Sequence, residues 1–141
     1  MQSINFDDGF KTYVLNNDES KVIKVNVTDF GIIDRFEKVR KDLEELADKT
    51  TLTQSTDESE MKQTDRIIRE KINYIFGSDV SSAAFGSVYC FSPSNGMPVF
   101  VNFINAVMPV IEKEKEMKIE TDKMQLNINK YTGQLPKILK S

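Results

Sequence analysis

No residue between Val80 and Ile111 carries a charge, in a chain where 29% of residues are Asp, Glu, Lys or Arg. A stretch that long without charge turns inward, and the rest of the chain has to be arranged around it. It is not a membrane span: Ser, Asn, Gly and Pro punctuate it, and its densest part, Val99 to Ile111, is shorter than the ~20 apolar residues that cross a bilayer. The run predicts a buried helix carrying Val99, Phe100, Phe103, Ile104, Val107, Val110 and Ile111, with Pro98 suited to its first turn. Pro109 lacks an N–H and clashes with the carbonyl of Asn105, so the helix should kink or end there. Seven of the 13 aromatic residues lie between Tyr74 and Phe103, which puts the centre of the core in this third of the chain.

Two amphipathic helices are expected ahead of this run. From Thr28 the apolar period changes from two to three and a half, through Ile32, Phe36, Val39, Leu43 and Leu46. Thr28 or Asp29 can cap that helix, which should end near Lys49. A polar, flexible connection is expected over Thr50 to Glu60, with only Leu52 large and apolar. The second stripe runs Met61, Thr64, Ile68, Ile72 and Ile75, widened by Ile67 and Phe76, capped by Asp57 and closed by Gly77. The matching stripes predict an antiparallel helical hairpin; coiled-coil dimerisation is the alternative, with only about two heptads visible on each helix.

The N-terminal part reads as strand. Turn signals at Asp7-Asp8-Gly9 and Asn16-Asn17-Asp18 separate Ile4-Asn5-Phe6, Phe10 to Leu15, and a segment with Val22, Val25 and Val27, predicting a small antiparallel β-meander over residues 1–27. Ser78 or Asp79 can cap a short helical turn that Gly86 closes, and Ser92 to Gly96 reads as a surface loop. The fold class is therefore α+β, mainly α-helical: a meander, a helical hairpin, a short helix and a third helix kinked at Pro109. Residues 1–111 form one globular domain, and residues 112–141 a charged, partly helical tail whose seven Lys and five acids give it +2 where the remainder carries −5.

Composition narrows the function. The chain contains no His, which removes Ser-His-Asp and Cys-His nucleophile systems and His-ligated metal sites. Cys90, the single cysteine, sits between Tyr89 and Phe91, where an apolar setting raises a thiol pKa. Asp57, Glu58 and Glu60 lack the spacing of a calcium loop and read as helix-capping acids. No glycine-rich phosphate loop is present, and a pI of about 5.1 with interleaved charges offers no face to nucleic acid. No catalytic residue, metal ligand or cofactor is expected, and the chain reads as a binding protein rather than an enzyme. Acids near the N-terminus, where a signal peptide has a basic flank, make the cytoplasm the expected location.

Between Val22 and Glu112 several phrases occur in a characteristic order. A short β segment leads to Asp34-Arg35-Phe36-Glu37-Lys38-Val39; a second helix ends Ile72-Asn73-Tyr74-Ile75-Phe76-Gly77; then come Phe85-Gly86-Ser87 and Asn102-Phe103-Ile104-Asn105-Ala106-Val107. In this the chain resembles the tail assembly chaperones of long-tailed bacteriophages infecting mostly Gram-positive hosts. The resemblance implies a non-enzymatic protein of the infected bacterial cytoplasm. It would hold the tape measure protein soluble, recruit tail tube subunits and leave before the tail is complete. A structural virion component, such as a head or tail completion protein, is the alternative. Phe85, Phe91, Phe100 and Phe103 are the candidate partner-binding residues, since aromatic density is highest there and no charge opposes an apolar partner. Self-association is a further possibility; no membrane or nucleic acid partner is expected.

Overall fold

The computed structural model describes residues 1–52 and 57–118, the side chains of 51, 52 and 115–118 excepted. Its elements are β1 (Lys11–Leu15), β2 (Asp18–Val25), α1 (Gly31–Leu52), α2 (Glu58–Phe76), α3 (Ser81–Phe85), β3 (Pro93–Ser94), β4 (Met97–Pro98) and α4 (Val99–Lys118). The fold is α+β and mainly helical, with two small antiparallel two-stranded sheets.

The expected meander is a hairpin. Asn16 and Asn17 both take positive φ (52° and 57°) and connect β1 to β2, a mirror-image turn whose twist suits paired strands. The register shifts at a bulge, passing from Val14↔Val22 to Leu15↔Asp18. The third strand expected over Ile4-Asn5-Phe6 does not form, and Ile4 and Phe6 stay exposed. The cause is local. The carboxylates of Asp7 and Asp8 accept hydrogen bonds from the N–H groups of Gly9 and Phe10, and the Asp8 carbonyl accepts from Asn26 Nδ2. These bonds turn the chain away before a strand can pair.

The helical hairpin forms as expected and is antiparallel. Arg35 Nε donates to the Ile75 carbonyl, Lys71 pairs with Asp42, and Lys49 with Glu60, so rising numbers on α1 meet falling numbers on α2. Ile32, Phe36, Val39, Leu43 and Ala47 are buried on one side and Ile68, Ile72 and Ile75 on the other. Each large apolar side chain among them stabilises the fold by roughly 1.5–3 kcal/mol through removal from water. The Asp29 carboxylate accepts from Gly31 N–H at the start of α1, and Asp57 from Ser59 N–H at the start of α2. Gly77, at φ 69°, closes α2 with its N–H on the Asn73 carbonyl. α1 reaches Leu52 rather than ending near Lys49, so only residues 53–57 separate the two helices; residues 53–56 of the expected connection lie outside the described residues.

Asn73 then arranges the short helix. Its Oδ1 accepts from the N–H groups of Val80 and Ser81, while Asp79 accepts from the Ser82 N–H and hydroxyl. The stretch expected as a loop is a tight hairpin, β3 pairing with β4 around Asn95-Gly96, both at positive φ. Pro98 belongs to β4 and precedes the helix it was expected to enter. The first N–H groups of α4 are satisfied by backbone instead of a capping side chain: Val99 donates to the Ser92 carbonyl and Phe100 to that of Cys90. α4 passes through Pro109 and continues to Lys118, so the boundary expected at residue 111 falls inside a helix. Its residues Phe100, Val101, Ile104, Met108 and Ile111 join the core formed by the hairpin helices, α3 and the strands.

Candidate functional site

α4 is apolar over more of its circumference than the core uses. Phe100, Ile104, Met108 and Ile111 follow helical spacing into the core. A second file, Val99, Phe103, Ala106, Val107 and Val110, occupies the adjacent face together with Asn102 and lines a groove of about 320 Å³. The opposite wall is the inner face of the β1–β2 hairpin, where strand alternation points Tyr13, Leu15, Ile23 and Val25 the same way. Ala84 and Phe85 of α3 contribute to the lining, with Val14, Asn16 and Val27. None of the residues described as lining the groove is charged.

Polar contacts lie at the two ends of the groove. At one end Lys11 Nζ and Glu114 Oε2 pair at 2.9 Å; at the other stand Asn16 of the hairpin turn and Asn102 of α4. The ion pair ties the start of β1 to α4, and Asn16 and Asn102 both belong to the groove lining. The hydrogen bond from Lys11 to Glu114 holds the ammonium above its ordinary pKa. Burial pushes the Tyr13 phenol up, and the nearby Glu114 carboxylate adds to that shift. The Tyr13 hydroxyl is buried without a hydrogen-bond partner among the described residues.

The four aromatic candidates separate. Phe85 and Phe103 come together edge to face, with ring centroids 5.6 Å apart, and both line the groove. Phe103 also meets Phe76 at 6.1 Å. Phe100 is buried in the core, 1% exposed, outside the groove lining. Phe91 stands away from the groove, stacked on Tyr89 with centroids 5.4 Å apart. Sequence reasoning missed the strand side, Tyr13 and Leu15, and the α4 residues Ala106, Val107 and Val110. Their signal was present: alternation along β1, and a helix with apolar residues beyond one stripe.

A second cluster is structural. Asp65 Oδ1 accepts from the Cys90 N–H at 2.8 Å, its Oδ2 pairs with Arg69 Nε at 2.9 Å, and Arg69 Nη2 donates to the carbonyls of Gly86 and Val88. The guanidinium also covers the Phe85 ring at 5.6 Å. This knot fastens the segment after α3 to α2. Burial, and then the neighbouring Asp65 carboxylate, push the Cys90 thiol far above its ordinary pKa, so it is no nucleophile. Among the described residues no group of three His, Cys, Asp or Glu side chains is placed to hold a metal ion, and no helix is long and apolar enough to cross a membrane. Comparison with family models, curated proteins and solved structures finds no match.

Proposed function

We propose that this protein is a non-enzymatic tail assembly chaperone that binds apolar segments of the tape measure protein, together with tail tube subunits, in the cytoplasm of an infected bacterium. The observation that carries the reading is the groove between the β1–β2 hairpin and α4, which is mostly apolar and has no charged residue among those described as lining it. An apolar helix or strand of a partner fits such a groove by burying its side chains, and uncharged walls accept many apolar sequences without selecting among them. The resemblance of Val22 to Glu112 to phage tail assembly chaperones supplies the identity of the partner.

Coexpression with the tape measure protein tests this. Val110 is 37% exposed, so Val110→Lys should leave the melting temperature within a degree or two while sharply lowering the yield of soluble partner. Unchanged solubilisation by that variant would remove the groove from the mechanism. Mass spectrometry of purified particles then separates the chaperone from a head or tail completion protein: the chaperone is missing from finished virions, and the virion component is retained.

A further inference from the structure

We propose that the β1–β2 hairpin is a flap over the groove, with β2 as its hinge, β1 as its moving edge and the Lys11–Glu114 ion pair as the latch that holds it closed. The device belongs to the groove itself and holds whatever partner the groove serves.

The two strands are held unequally. Ile23 and Val25 at the end of β2, and Val27 just beyond it, are buried in the core, and the Ser78 hydroxyl donates to the Lys24 carbonyl. β1 has no fully buried residue: exposed and half-buried positions alternate along it, with Tyr13 and Leu15 turned inward. It is tied to α4 by Lys11 Nζ on Glu114 Oε2 at 2.9 Å. Between these walls lies the groove of about 320 Å³. Rolling β1 outward about β2 therefore separates faces that already stand apart, and few dispersion contacts are lost.

Two opposing effects leave the flap poised. The ion pair favours closure, but the Lys11 side chain is 46% exposed and that of Glu114 19%, so water and salt weaken the attraction and the latch is a modest one. The Tyr13 hydroxyl favours opening. It is buried without a hydrogen-bond partner among the described residues, although the Glu114 carboxylate and the Lys11 ammonium lie close enough to act on the phenol. An unpaired buried hydroxyl costs free energy, and water supplies the missing bond once β1 rolls outward. A charged group of an arriving partner that competes for Lys11 or Glu114 releases the latch and widens the groove as it docks.

Opposite signs for the two effects make the flap testable in the full-length chain. Spin labels on Thr12→Cys and Lys113→Cys, at exposed positions of β1 and α4, read the width of the groove, and the buried Cys90 stays unlabelled. Glu114→Gln should move the label distances to longer values and raise the fluorescence of an apolar dye about two- to fivefold, the population shift that a half-exposed ion pair commands. Sodium chloride at about 0.5 M should do the same to the wild type and add nothing to Glu114→Gln. Tyr13→Phe should act the other way, shortening the distances and lowering the dye signal, because the unpaired hydroxyl is gone. Exchanging the charges, Lys11→Glu with Glu114→Lys, should restore the wild-type distances. Wild-type distances in Glu114→Gln, or opening rather than closing by Tyr13→Phe, overturns the proposal. So does a charge exchange that behaves like the single variant. No partner enters these measurements, so failure of the chaperone reading leaves them unaffected.

Discussion

The α1–α2 interface and the β-hairpin–α4 interface both bring two apolar faces together, and only the first is closed. Helices with matching stripes interdigitate along their length, and Ile32, Phe36, Leu43, Ile68 and Ile72 are all essentially without solvent contact. The rim of that interface is fastened by Arg35 on the Ile75 carbonyl, Lys71 on Asp42 and Lys49 on Glu60. At the other interface a five-residue strand lies beside a long helix, and Lys11–Glu114 bridges one end. A two-stranded sheet has too few side chains to cover the helix face opposite it. Phe103 and Val107 stay half-buried and a cavity remains. One contact surface is closed by packing, and the other leaves an open groove.

The largest test of this contrast is a pair of truncations. Phe36→Ala should destabilise the protein by about 3–5 kcal/mol, because the packed hairpin cannot collapse around the void. Val110→Ala should cost less than about 0.5 kcal/mol, since the removed methyl groups already face the groove. Unfolding in urea measures both, and similar costs would erase the distinction. Next comes the knot that carries Phe85 to the groove. Asp65→Ala strips the partner from Arg69 and from the Cys90 N–H, and should cost about 2–3 kcal/mol. It should also loosen the segment between Gly86 and Cys90, visible as faster hydrogen exchange there while the α1–α2 amides keep theirs.

Gly77→Ala should cost about 1 kcal/mol, because φ 69° is strained for any side chain while the space around it is open. The smallest effect is a pH dependence. Hydrogen bonds from the Ser82 hydroxyl and N–H hold the Asp79 carboxyl below its ordinary pKa. A depressed carboxylate pKa contributes stability that is complete above the unfolded value, near 4, and is lost as pH falls through the folded value. Asp79→Asn should therefore flatten the loss of stability below about pH 4 and leave the alkaline side unchanged. An identical acid limb in variant and wild type would show that the cap of α3 contributes nothing there.

How much was legible depends on the range of the interaction concerned. The hairpin helices, the Asp57 and Gly77 caps and the Asn16-Asn17 turn were readable because each rests on residues within about four positions of one another. Sequence reading failed where a neighbour in space overrode the local signal. Ile4 to Phe6 has strand character, yet Asn26 and the two Asp side chains turn the chain aside. Pro109 read alone leaves open whether its helix kinks or ends, and only the structure shows that α4, with one side packed into the core, continues past it. Ser92 to Gly96 reads as a loop until the pairing of Pro93 with Pro98 makes it a hairpin.

The aromatic cluster shows the same division. An uncharged run from Val80 to Ile111 was enough to place this region at the centre of the fold. It could not separate Phe103 and Phe85, which line the groove, from Phe100 in the core and Phe91 on its stack with Tyr89. The amino-acid sequence by itself determined the class of fold, the helical hairpin and the absence of histidine chemistry, since composition and short-range periodicity suffice for those. Which face of α4 is covered, and that β1 lies along it with a gap between, was decided by the tertiary structure alone. The reason is physical: filling a space depends on the summed shapes of side chains from distant parts of the chain, here residues 13 to 27 against 84 to 110, and no local pattern encodes that sum.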